Sequence, residues 1–227
     1  MPGSRSQPDI RRELALYRQG FVPVCGVDEV GRGPLAGPVV AAAVLLPFWQ
    51  WDAIPAPLAG VADSKQLSAE QRRRCVAVIH QLATAVAIGE ASAAEIDALN
   101  IRKASLLAMA RAVNTLNLTA QAWVLVDGRD LPPGLPCPGE AIIRGDQTSL
   151  SIASASILAK EYRDAHMVAL AKRYPGYGWE QNSGYPTAAH RQALLTLGVT
   201  EQHRRSYAPV RQALHEQMLK ESTLSAS

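Results

Sequence analysis

The chain has little cysteine. Cys25, Cys75 and Cys137 are the three among 227 residues. They lie far apart and none belongs to a C-x-x-C pair, so neither a disulfide framework nor a zinc ribbon is indicated. A reducing, cytoplasmic setting is the expectation. Charge of one sign is also scarce. The net charge is +3, which excludes a histone-like polycation but still permits an anionic partner. No long hydrophobic run occurs. Val39 to Leu46 is the longest, closed by Pro38 and Pro47, and it is far too short to span a bilayer. The N-terminus carries Arg5, Asp9, Arg11, Arg12 and Glu13 and lacks the apolar core of a signal peptide. No repeat or low-complexity segment stands out.

Several motifs are missing too. The glycine stretch Gly31-Arg32-Gly33-Pro34-Leu35-Ala36-Gly37 is not followed by Gly-Lys-Ser/Thr, so it is no phosphate-binding P-loop. It lacks the third glycine and the helix of a dinucleotide loop. The five histidines show no H-E-x-x-H spacing, and no G-x-S-x-G marks a serine hydrolase.

What is present is a globular composition, 48% hydrophobic and 19% charged. A chain this long buries roughly 70% of its unfolded surface and needs no covalent staple. The pattern predicts a short helix over 9–19 with Asp9 as N-cap, and strands over 22–30 and 39–46. A loop covers 47–60. A Ser68 capping box then starts a helix reaching about His80. A strand follows near 84–89, and a helix capped by Asn100 covers 101–115. Strands at 123–126 and 141–143 flank a loop with four prolines in eight residues, Leu131 to Pro138. Helices are expected over 151–173, 187–197 and 209–220. Strands early and helices late imply an α/β fold: a mixed sheet flanked by helices, with a helical C-terminal extension. The expected division is a tail and short helix over 1–20, a catalytic domain over 21–170 and the extension over 171–227.

Four acids stand at strand ends beside glycine. Asp28 and Glu29 close the first strand, Asp127 closes Val124-Leu125-Val126, and Asp146 follows Ile142-Ile143-Arg144-Gly145. Each alone also reads as an ordinary turn residue. Together they suggest carboxylates facing one cleft, which cannot all stay ionised without a cation. Oxygen-only donors favour Mg²⁺ or Mn²⁺. Because neighbouring strand residues face opposite ways, Asp28 and Glu29 converge only if the backbone departs from regularity, which Gly26, Gly31 and Gly33 would permit. Of the loop aromatics Tyr174, Tyr177, Trp179 and Tyr185, three are expected to cap a core edge, while one could stack on a sugar or base.

These residues resemble the ribonuclease HII family. The first block, Gly26-Val27-Asp28-Glu29-Val30-Gly31-Arg32-Gly33-Pro34-Leu35-Ala36-Gly37, is the most specific. The resemblance continues through Asp63-Ser64-Lys65, Asp127-Gly128, Gly145-Asp146, Ala155-Ser156-Ile157, Arg163-Asp164, Gly184-Tyr185-Pro186 and His203-Arg204-Arg205-Ser206-Tyr207. It implies an RNase H-like mixed sheet. It also implies two-metal hydrolysis of the RNA strand of RNA–DNA hybrids, with cutting 5′ to single ribonucleotides in duplex DNA to leave 3′-hydroxyl and 5′-phosphate ends. Carried over by position, Asp28, Glu29, Asp127 and Asp146 are the catalytic metal ligands, with Asp164 a rival for the fourth place. Gly31, Arg32 and Gly33 would read the ribose 2′-hydroxyl, Tyr185 would pack on a sugar, and Lys65 would touch phosphate. The partners are then hybrid duplexes and DNA with embedded ribonucleotides, met by a monomer away from any membrane. The related ribonuclease HIII usually has lysine where Arg32 stands, and carries an N-terminal domain for which residues 1–20 leave no room. Two other readings compete: a carboxylate nuclease of the same fold, such as a Holliday-junction resolvase, and a non-catalytic binding module. The first lacks a 2′-hydroxyl reader, and the second would not need four acids.

Overall fold

In the computed structural model, which describes residues 7–51, 53–61 and 67–224 with side chains through Leu219, the apolar runs become the strands of one sheet. These are β1 (Val24–Val30), β2 (Val39–Leu45), β3 (Ala85–Ala91), β4 (Trp123–Asp127) and β5 (Gly139–Ile142), in the order β3-β2-β1-β4-β5. β1 runs antiparallel to β2 and parallel to β4, and β4 runs parallel to β5. The sheet is therefore mixed, as the sequence predicts. β2 reads VVAAAVL and is buried at every position, which is why it shows no polar alternation.

The helices are α1 (Arg11–Arg18), α2 (Ala69–Leu82), α3 (Ala93–Leu99), α4 (Ile101–Thr115), α5 (Leu150–Arg173), α6 (Trp179–Asn182), α7 (Ala188–Leu197) and α8 (Ala208–Leu224). Ser68 starts α2 with the full reciprocal capping box to Gln71. The same device, Ser92 with Glu95, starts α3, which the sequence pattern does not reveal because only Ala93 and Ile96 of its seven residues are buried. Asn100 separates α3 from α4, and its Oδ1 accepts from the Lys103 N–H at 3.2 Å. Asp9 is not the N-cap of α1, a place held by Ile10. Its carboxylate still accepts the Arg11 N–H at 2.9 Å. Among the described residues, no helix is long and apolar enough to cross a membrane.

Contacts divide the chain into two units, with changeovers at Val30/Gly31, Val39/Val40, Glu90/Ala91, Ala104/Ser105 and Glu161/Tyr162. The first unit holds nearly all of the sheet, α1, α2, most of α4 and the first half of α5. Its core joins Val24, Ala42, Val44 and Leu125 to Leu150, Ile152, Ile157 and Leu158 of α5. The second holds the glycine loop, α3 and α6 to α8. Its cores gather Ala36, Met167, Tyr177 and Trp179, and Leu35, Leu194, Val210 and Ala213.

A buried acid pins α1 inside the first unit. Glu13 is fully buried, and its Oε1 accepts from the Ser149 and Ser151 hydroxyls, each at 2.7 Å. Its Oε2 has no hydrogen-bond partner among the described residues. Burial pushes this carboxyl above its ordinary value, against the hydrogen bonds that lower it. The fold thus prefers the protonated acid. The resulting stability is present below the unfolded pKa and is lost as pH rises through the folded one. Glu13→Gln keeps an acceptor for both serines and removes the buried charge. It should raise the melting temperature by a few degrees at pH 8, for about 1–3 kcal/mol, and leave it unchanged near pH 4. Thermal melts across that range check this.

Candidate active site

Gly26 sets the site's geometry. A Cβ there would lie 2.2 Å from the Ser151 carbonyl carbon and 2.4 Å from the Ile152 nitrogen, so α5 rests directly on the β1 backbone. From that crossing, Asp28 lies two residues further along β1, roughly 6.6 Å. Ser156 lies four residues beyond Ile152 along α5, about 6 Å. The near-equal advance brings the Ser156 side chain into a hydrogen bond with the Asp28 carboxylate. The sequence pattern assigns Ser156 no role of its own. The hints are its place in the family-like block Ala155-Ser156-Ile157 and its polarity within a mostly apolar run, Ile152 to Ala159, that also holds Ser154.

Asp28 is buried, and its carboxyl is pushed well above the usual range. Burial is the largest cause, followed by the charge of Glu29 and that of Asp127. The Ser156 bond opposes them, and Asp146 adds a smaller rise. Asp127 ends β4 beside Ile142, and its Oδ1 accepts the Gly145 N–H at 2.7 Å. This bond ties the turn at 145–147 to the strand end. It places buried Asp146 one residue from the contact, after Arg144 in the left-handed region at φ 57°. Asp28 thus senses the charge of each of the other three acids. Among the described residues, no three His, Cys, Asp or Glu side chains already form a metal-ligand group.

The expected irregularity of β1 is absent. The ladder runs in step from Cys25↔Leu45 to Val30↔Val40 with no inserted residue. Gly26 serves the approach of α5, not a bulge. Asp28 and Glu29 are close simply as chain neighbours, with the Glu29 N–H donating to Asp28 Oδ1 at 2.7 Å. Asp164, the rival acid, accepts from the Ser183 hydroxyl at 3.2 Å in the second unit. Lys65 lies outside the described residues.

The second unit brings the glycine loop and Tyr185 together. Gly31 has φ 95°, and a Cβ there would stand 2.2 Å from Arg163 Nε, so the fold itself requires glycine. Gly33 differs. A Cβ there would meet the Tyr185 ring at 3.5 Å, an ordinary contact. The fold would tolerate a side chain at this place, so its absence leaves backbone open beside an aromatic ring. Tyr185 is 41% exposed, while Tyr177 and Trp179 lie in the core and Tyr174 packs against it. Three aromatics cap and one is displayed, as the sequence predicts.

A network of rings holds the Tyr185 backbone. Trp179 Nε1–H donates to His190 Nε2 at 3.0 Å, which fixes the His190 proton on Nδ1, facing the Tyr185 carbonyl at 3.0 Å. His203 Nδ1 accepts the Thr200 N–H at 3.0 Å, so its Nε2–H points at His190 Nε2, 3.1 Å away. Both imidazoles are neutral. Burial, then His190, brings His203 down to about 3, and burial lowers His190.

A family model described as ribonuclease HII matches residues 25–210. The chain belongs to the ribonuclease HII family. It is 55% identical over 212 residues to the ribonuclease HII of Ruegeria pomeroyi, covering 93% of this chain and 87% of the relative. It is 56% identical over 203 residues to that of Rhodospirillum rubrum, covering 89% and 91%. Among solved structures, the ribonuclease H2 of Pyrococcus horikoshii superposes with a TM-score of 0.70 at 24% identity, covering 88% of this chain and 99% of that one. Bst-RNase HIII in complex with Mn²⁺ superposes at 0.67 with 21% identity, over 89% and 72%. The RNase H-like mixed sheet of the sequence reading is therefore shared with these structures, and membership makes the chain a ribonuclease.

Proposed function

We propose that this ribonuclease cuts the RNA strand of RNA–DNA duplexes, and cuts 5′ to single ribonucleotides within DNA, with Asp28, Glu29, Asp127 and Asp146 as ligands of divalent ions. The observation that carries the reading is the buried Asp28 carboxyl, which its own burial and three neighbouring acids all oppose ionising. Hard, oxygen-only donors suit Mg²⁺ or Mn²⁺. Divalent ions held there would offset the carboxylate charge and stabilise the attacking and leaving oxygens of a phosphodiester. Mn²⁺ bound to Bst-RNase HIII supports the choice of ion.

The remaining roles fall to the chain itself. Asp127 holds the 145–147 turn through Gly145, so its second oxygen and Asp146 are fixed with respect to β4. Gly31 continues the chain directly from the strand that carries Asp28 and Glu29. Gly33 offers open backbone to a ribose, and Tyr185 offers an exposed ring to the adjoining sugar. The 2′-hydroxyl separates RNA from DNA, and a resolvase would not need such a reader. Residues 1–159 carry 14 basic and 14 acidic side chains. Two bound divalent ions would take that segment from zero to +4 and the whole chain from +3 to about +7, which suits a polyanionic duplex.

The test is a DNA duplex with one ribonucleotide, incubated with Mg²⁺ or Mn²⁺. A single cut on its 5′ side, leaving 3′-hydroxyl and 5′-phosphate ends, is expected. No cleavage of this duplex or of any RNA–DNA hybrid would refute the reading.

A further inference from the structure

Two arginines that the catalytic reading leaves unused are fully buried in the second unit. Both turn all their described hydrogen bonds on one short stretch of chain and its neighbours. Arg204 uses all five of its N–H donors. Nε donates to the Gly37 carbonyl at 3.1 Å, Nη2 to those of Gly31 at 2.6 Å and Gly37 at 3.0 Å. Nη1 donates to the Arg32 carbonyl and the Tyr207 hydroxyl, each at 3.1 Å. Tyr207 in turn donates to the Arg32 carbonyl at 2.6 Å. Arg163 donates from Nε to the Pro38 carbonyl at 2.9 Å, from Nη2 to Ala36 at 3.1 Å and from Nη1 to Ser183 at 3.0 Å. Carbonyls of Gly31, Arg32, Ala36, Gly37 and Pro38 are thus all drawn onto the two guanidinium groups.

The consequence follows from peptide geometry. In a trans peptide, the carbonyl of one residue and the N–H of the next point opposite ways. With the Gly31 and Arg32 carbonyls turned onto Arg204, the N–H groups of Arg32 and Gly33 are turned away from it. Carbonyl dipoles also solvate a cation without neutralising it. Burial first, and then Arg204 beside it, bring Arg163 down to about 10, and burial lowers Arg204. Both remain charged at neutral pH.

We propose that Arg163 and Arg204 are positioning residues for substrate selection: they hold the glycine loop with its carbonyls inward, so that the Arg32 and Gly33 N–H groups face out as a donor pair for a ribonucleotide, over two buried positive charges. The planar fork matters as much as the charge. Only arginine supplies five donors in a fixed plane, whereas a lysine offers one point. The inference rests on the reading of this loop as the ribose reader.

The test compares Arg204→Lys, Arg204→Gln and Tyr207→Phe with the parent chain. Binding is measured by fluorescence anisotropy with Ca²⁺ present, on an all-DNA duplex and on the same duplex with one ribonucleotide; cleavage kinetics follow in Mg²⁺. Arg204→Lys keeps charge and loses the fork. Its preference for the ribonucleotide duplex should fall about tenfold, with KM raised, kcat little changed and the salt dependence of binding retained. Arg204→Gln should lose the preference and also show a shallower salt dependence. Tyr207→Phe removes one hydroxyl from a partly exposed side chain. It should fold and lose preference about threefold, which keeps the proposal testable if either Arg204 variant fails to fold. Folded variants with undiminished preference, or with an equal loss on both duplexes, overturn the proposal. If the parent chain itself shows no preference, the ribose-reader reading fails instead.

Discussion

Replacing Asp127 with Asn should cost roughly a thousandfold in kcat, about 4 kcal/mol, the scale of charge stabilisation by a held metal ion. The fold should not change. Asn keeps an oxygen where Asp127 Oδ1 accepts the Gly145 N–H at 2.7 Å, so the turn carrying Asp146 stays tied to β4. The β4–β5 register is a backbone matter and is untouched. What disappears is a negative charge beside Asp28. Circular dichroism and thermal melting should match the parent chain within a few degrees, and single-turnover cleavage should fall. A variant with near-full rate would show that Asp127 is not a metal ligand.

The largest effect on stability should come from Gly26→Ala. The added methyl would lie 2.2, 2.4 and 2.5 Å from the Ser151 carbon, the Ile152 nitrogen and the Ser151 oxygen. These are backbone atoms at the start of α5 and cannot swing aside. Either α5 lifts from β1 or β1 leaves its ladder, and both disrupt the core that joins Val24 and Leu125 to Ile152. A loss above about 4 kcal/mol is expected, or at least 8 °C in melting temperature for a chain of this size. Gly33→Ala is the control: its methyl meets only the Tyr185 ring at 3.5 Å, and its melting temperature should hold. Equal melting of Gly26→Ala and the parent would contradict the close approach.

The two glycines show what the sequence could and could not reveal. Glycine beside an acid marks a place where backbone matters, but not why. Gly26 answers to a helix 125 residues later in the chain, and Gly33 to nothing in the fold. Local signals were legible because their partners are near in sequence. The Ser68 box, the Asn100 boundary and the stop at Gly198 each involve only a few residues. The acids were legible as apolar runs ending in charge. Their mutual approach and the Ser156 contact were not, because β1, β4 and α5 are joined only by the sheet order and the core. Arg163 and Arg204 stand in family-like blocks, but their contacts were illegible for the same reason. A charged residue reads as surface, and its burial here depends chiefly on carbonyls of the 31–38 stretch, more than a hundred residues away.

The most direct test of the ligand assignment is titration calorimetry of Mn²⁺ into the parent chain and into Asp28→Asn, Asp146→Asn and Asp164→Asn. Binding to the parent should weaken at least tenfold in Asp28→Asn and Asp146→Asn, and be retained in Asp164→Asn. Undiminished binding in the first two with loss in the third would contradict the account.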